Sequence, residues 1–194
     1  MRKRKEPLPN QLRLYRVFPW LESAAPPEPG HPRYVAAPQG HGRVDNPERY
    51  LTLYLSDDPI GAIGEAFGNH SIWTSDLLTG PPALPGSVRG LATFDAADAV
   101  VIDLDDPQAL LDRSLPPSRV VTRQRAITQS WALRIFEEGT WDGVRWWSFH
   151  NPEWGSLGLW SLEKLEVVAV SALSDQVALV QQAASDMLRV WGPT

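Results

Sequence analysis

Apolar and polar residues alternate through residues 12–18 (LRLYRVF), which predicts a strand with Arg13 and Tyr15 on one face and Leu14 and Arg16 on the other. Residues 19–42 hold six prolines and three glycines and carry no helical period, so they predict a long loop, of the kind that is often functional or mobile. The next stretch, NPERYLTLYLSDDPIGAIGEAFGN (46–69), is the unit around which the chain is organised. Its residues 50–55 favour a strand. Asp57 or Asp58 then caps a short helix with Pro59 in its first turn. Ile60, Ile63 and Phe67 share one face of that helix, and Glu65 lies roughly opposite, on a face carrying Gly61, Ala62 and Gly68, with Gly64 close by. Glycine in a helix costs about 1 kcal/mol relative to alanine. This cluster therefore predicts that something approaches the backbone closely around Glu65.

Further along, residues 88–94 and 99–104 predict two strands, and Asp105 or Asp106 caps a helix over 108–112. The clearest helix is 122–138, with Ile127, Trp131, Leu133 and Ile135 on its apolar face and Gly139 as its stop. Residues 140–148, 157–160 and 165–170 predict three more strands, and 175–191 a terminal amphipathic helix. No internal repeat is present. The pattern predicts a short basic disordered tail over 1–10 and one domain over 11–194.

Composition narrows the class. Nine tryptophans are many for 194 residues, and six of them fall between 131 and 160. Cysteine is absent, which excludes disulfides and thiolate metal sites. No apolar run is long enough to span a membrane, and the N-terminus lacks the apolar core of a secretory signal, so a soluble cytoplasmic protein is expected. Net charge is −5, and with Arg2, Lys3, Arg4 and Lys5 set aside residues 6–194 carry −9. An acidic body argues against nucleic acid as a direct partner.

Several chemistries are poorly supported. The four histidines, His31, His41, His70 and His150, show no paired ligand spacing, so no metal is expected. Ser148 is not in a G-x-S-x-G elbow, and neither a P-loop nor a G-x-G-x-x-G fingerprint occurs. What remains is Arg43, Tyr54 and Glu65, at even steps of 11 residues, with a distant Ser148 and with Arg16 on the first strand. Taken singly, each has a bland reading: a solvated glutamate, a loop arginine, an edge-strand arginine. Taken together they offer one carboxylate, two hydroxyls and guanidinium forks suited to a phosphate or pyrophosphate. Hydrolysis of an O-glycoside usually needs two carboxylates, one of them to protonate the leaving oxygen. A pyridinium leaves as a neutral base and needs no such proton. The set is thus compatible with NAD as substrate, with no cofactor besides, although the residue types alone do not select it.

Four segments carry a resemblance: LYR at 14–16, GHGRVDNP at 40–47, YLTLYLSDDPIGAIGEAFG at 50–68 and WDGVRWWS at 141–148. On these the chain resembles the RES domain family, named for an arginine, a glutamate and a serine. The resemblance covers most of residues 11–170. It implies an α+β fold, an ADP-ribosyltransferase-like split antiparallel sheet with flanking helices. It implies an enzyme that degrades NAD by hydrolysis or phosphorolysis, with inorganic phosphate as a second acceptor, or one that transfers ADP-ribose to a protein. A module that binds NAD without chemistry is the remaining alternative. Arg43, Tyr54, Glu65 and Ser148 match the family's catalytic and NAD-binding positions, and Arg16 matches a further substrate-contacting arginine. Many members are toxins of toxin–antitoxin pairs, which implies an Xre-type helix-turn-helix antitoxin as a possible partner and leaves room for a homo-oligomer. The chain departs from the family in its longer loop before Arg43, in Val44-Asp45-Asn46 where a Trp-Asn pair is usual, and in Trp146 where a tyrosine is usual.

Overall fold

The structure, a computed structural model, describes residues 12–192; the tail assigned to residues 1–10 lies outside the described residues. Among the described residues, nine strands and five α-helices follow in the order β1 (Arg13–Trp20), β2 (Leu53–Ser56), α1 (Pro59–Phe67), β3 (Ile72–Trp73), β4 (Val88–Asp95), β5 (Val101–Asp103), α2 (Pro107–Asp112), α3 (Pro117–Val120), α4 (Arg125–Glu137), β6 (Gly143–Trp147), β7 (Gly155–Leu159), β8 (Glu166–Ala172), α5 (Val177–Asp186) and β9 (Val190–Trp191). Seven strands form one sheet in the order β5-β6-β7-β2-β1-β4-β8. Every pairing in it is antiparallel except β5–β6, which is parallel.

The α+β class and the split sheet hold, but the sheet is mixed rather than wholly antiparallel, through β5–β6. The split lies between β1 and β2, which touch through the single pair Tyr15–Ser56, whereas β1 and β4 pair over eight positions. A sheet that parts in its middle leaves a cleft between its halves. The helices divide accordingly. α1 and α5 cover the β1–β4 half, burying Ile63, Phe67, Val180 and Ala183 against Leu91. α2, α3 and α4 cover the β5–β6 half, packing Leu110, Val120, Trp131 and Ile135 on Ile102, Val144 and Trp146. Full burial of a side chain such as Ile63 or Phe67 contributes about 1.5–3 kcal/mol.

Capping resolves two choices that the sequence left open. Asp58 caps α1, accepting from the backbone N–H groups of Ile60 and Gly61, and Asp106 caps α2, accepting from Gln108. One bland reading and two expectations need correction. β1 is a central strand rather than an edge, so Arg16 does not stand in open solvent. The terminal helix ends at Asp186, because Leu188 takes a positive φ of 54° and the chain turns into β9, which pairs in parallel with β3. The 122–138 helix begins only at Arg125, preceded by the short α3.

The proline-rich segment is stitched to the sheet. Arg16 donates from one Nη to the carbonyls of Pro32 and Tyr34 at 2.7 and 2.8 Å. Arg33 donates to the Leu162 carbonyl at 2.6 Å, and the Gln39 side chain pairs with both backbone groups of Thr52. Among the described residues no helix is long and apolar enough to cross a membrane.

Candidate active site

The cleft at the split is a cavity of about 400 Å³, within the range of small-molecule sites. Tyr15, Arg16 and Val17 of β1 line one side; Tyr54, Ser56 and Ser156 line the other. Glu65 of α1, Arg43, Trp146 and Arg125 complete it.

Glu65 and Ser148 meet, although 83 residues separate them: the Ser148 hydroxyl donates to Glu65 Oε1 at 2.6 Å. Ser156 donates to the same oxygen at 3.1 Å. Oε2 makes no hydrogen bond within the described residues, and the exposed Glu65 side chain lines the cleft. Ser148 is 2% exposed and accepts the backbone N–H of His150 at 3.0 Å. It stands behind the carboxylate rather than in the cavity wall, so its geometry suits orienting Glu65 more than touching a substrate.

The glycines of α1 explain how this pair forms. A Cβ on Gly64 would lie 2.5 Å from the Trp154 ring, one on Gly61 3.1 Å from it, and one on Gly68 2.5 Å from His150. The close approach predicted from the glycines is therefore made by the protein itself. The loop joining β6 to β7 lays Trp154 and His150 on the glycine face of α1, and Ser148 arrives with it. Asp57 locks this docking: it accepts the Gly155 N–H at 2.8 Å and Arg145 Nε at 2.8 Å, while Arg145 also pairs with Asp103.

Arg43 is 9% exposed and donates from one Nη to the carbonyls of Val120 and Thr122 at 3.1 and 2.7 Å. It forms no ion pair among the described residues, and its other donors are free for a ligand. Burial first, then nearby Arg125, pulls its guanidinium below its ordinary value, while Glu65 and Tyr54 act in the opposite direction. Arg16, also without a carboxylate partner, is pulled down to about 10 by burial. Cations held without counter-ions favour the arrival of an anion.

Tyr54 presents its ring to the cleft, edge-on to Trp146 with centroids 6.5 Å apart. Its hydroxyl is already engaged, donating to Asp45 Oδ1 at 2.5 Å and accepting from the Val44 N–H at 3.1 Å. Asp45, 5% exposed, also accepts the N–H groups of Gly40 and Gly42 through Oδ2. The loop that delivers Arg43 is thus wrapped around one carboxylate. Gly42 is obligatory there, since a Cβ would lie 2.1 Å from the Tyr54 hydroxyl. Asn46 is structural: its amide donates to the Tyr50 hydroxyl and the Gln129 carbonyl.

Burial raises both inner tyrosines, Tyr50 to about 12 and Tyr54 further, where the Asp45 carboxylate adds to the effect. In the unfolded chain both ionise near pH 10. Their contribution to stability is therefore complete below about pH 10 and is lost as pH climbs toward about 12. The expected result is that tyrosinate absorbance from these two residues develops together with unfolding rather than in the native baseline. A native-state titration in which all four tyrosines ionise near pH 10 would contradict the burial described.

Sequence reasoning missed Asp45, Ser156 and Arg125. Asp45 lay beside the motif arginine but reads locally as a turn residue. Ser156 and Arg125 carry no local signal; only the folded sheet brings them to the cleft.

Comparison with known proteins gives the family and the fold. The family model described as RES domain matches residues 13–181. A chain of the M. tuberculosis MbcT–MbcA toxin–antitoxin complex, known from a crystal structure, shares the fold with a TM-score of 0.60 and 19% identity over 90% of each chain. No curated protein matches.

Proposed function

The chain belongs to the RES domain family, and on that premise we propose that it is a toxin-like enzyme that cleaves the nicotinamide–ribose bond of NAD. One observation carries the reading. A carboxylate fixed on one oxygen by two serines shares a single cavity with arginines that form no ion pair among the described residues. NAD has the complementary layout, a cationic nicotinamide riboside at one end and a diphosphate in its middle.

In this reading Arg43 and Arg16 receive the diphosphate, and Tyr54 and Trp146 wall the ring side. Glu65 Oε2 lies against the nicotinamide ribose. The C1′–N bond breaks with its electron pair going to nicotinamide, which leaves neutral. Positive charge grows on the sugar, and the Glu65 carboxylate stabilises it most at the transition state. Water or phosphate then traps the sugar, and a water nucleophile releases its proton to solvent. Ser148 and Ser156 hold the carboxylate in place throughout. The complex that supplies the structural neighbour joins a toxin to an antitoxin; by extension this chain works inside the cell under the restraint of an antitoxin of helix-turn-helix type.

The test is incubation of the purified protein with labelled NAD, with and without phosphate. Free nicotinamide together with ADP-ribose, or with its phosphate ester, is the expected outcome. Label on protein would redirect the reading to ADP-ribosyl transfer. NAD binding without nicotinamide release would end it.

A further inference from the structure

Arg125 opens α4 and was not among the residues that the sequence singled out. Its exposed side chain lines the cleft beside Arg43. The two guanidinium groups converge on one acceptor: the Thr122 carbonyl takes Arg43 Nη1 at 2.7 Å and Arg125 Nη1 at 3.4 Å. Arg125 Nε is held by the His41 carbonyl at 3.0 Å, on the loop that delivers Arg43. Neither arginine makes an ion pair with a carboxylate among the described residues. Two like charges are therefore held together by backbone carbonyls, with Arg43 Nε and Nη2 and Arg125 Nη2 left without partners.

We propose that Arg43 and Arg125 together form the diphosphate clamp of this cleft, and that Arg125 is a specificity residue selecting doubly anionic diphosphate esters. The clamp rests on the reading of the cleft as a dinucleotide site and refines it. Adjacent cations cost free energy when empty and recover it when a dianion bridges them. Guanidinium forks match phosphate oxygens in pairs, which a single arginine does for one phosphate only. Arg16 lines the same cleft from β1 and remains a further contact to the diphosphate beside this clamp.

The experiment compares the full-length protein with Arg125→Gln and Arg125→Lys. Binding of inorganic pyrophosphate is followed by calorimetry, and NAD turnover is followed in parallel. Arg125→Gln is expected to weaken pyrophosphate binding about 10-fold, the loss of one charge-assisted contact. It is expected to raise KM for NAD by a similar factor with a smaller change in kcat, and Arg125→Lys is expected to recover part of both. Arg125 is exposed, so the variants should retain the native circular dichroism. Pyrophosphate affinity and KM unchanged in Arg125→Gln would overturn the clamp, as would absence of pyrophosphate binding by the wild type. Arg125-dependent pyrophosphate binding by a protein that releases no nicotinamide would keep the clamp and refute the NAD-cleaving reading. Normal NAD cleavage with an Arg125-independent KM would do the reverse.

Discussion

Glu65→Gln is expected to lower nicotinamide release by about 100- to 1000-fold, the usual loss when one preorganised electrostatic contact to a transition state is removed. Glutamine is the sharper test than alanine. Its amide oxygen can still accept the Ser148 and Ser156 hydroxyls that now share Oε1, so the buried serine keeps its partner. Only the charge is lost. Because the side chain is exposed, thermal stability should stay close to wild type. The effect should fall mainly on kcat, since the carboxylate matters most when the sugar carries positive charge. A Glu65→Gln protein that turns over NAD within a few-fold of wild type would remove Glu65 from the chemistry, whatever its geometry. Ser148→Ala should produce a smaller loss, because Ser156 still holds the same oxygen.

The sequence made the strand–turn–helix unit at residues 53–67 legible because its signals are local: a strand-forming run, an Asx cap and a proline at the helix start. Glu65 and Arg43 were legible by spacing and resemblance. What was not legible is how they are supported. Asp45 looks like an ordinary turn aspartate until the Tyr54 hydroxyl and two glycine N–H groups are seen to converge on it. Ser156 and Arg125 reach the cleft only through strand order and helix docking, which no local pattern encodes. β9 was misread as helix because its apolar residues continue the helical period, and only the turn at Leu188 and the pairing with β3 end it. The proline-rich segment was legible on composition only as a long loop, because its tie points lie far away in sequence, at Arg16, Thr52 and Leu162.

Trp154→Ala is expected to destabilise the protein by about 3–5 kcal/mol, the range for truncating a buried tryptophan, and to lower Tm by on the order of 10 °C. Trp154 is 6% exposed and fills the groove that Gly61 and Gly64 leave on α1. Its carbonyl accepts the Ser148 N–H at 2.7 Å, so the same residue that docks the loop also fixes the backbone beneath the serine. Loosening the dock should therefore cost activity even at temperatures where the variant is fully folded, as Ser148 drifts from Glu65. Gly64→Ala probes the same contact from the other side. Helix propensity alone predicts a gain of about 1 kcal/mol. The new methyl, however, would sit 2.5 Å from the Trp154 ring and 3.1 Å from Met187 Sδ, and overpacking of this kind costs about 1–3 kcal/mol. Both variants should thus lose nicotinamide release together with stability, in the order Trp154→Ala beyond Gly64→Ala. If Gly64→Ala were more stable than wild type and equally active, the glycine face of α1 would not be what brings the serine to the carboxylate.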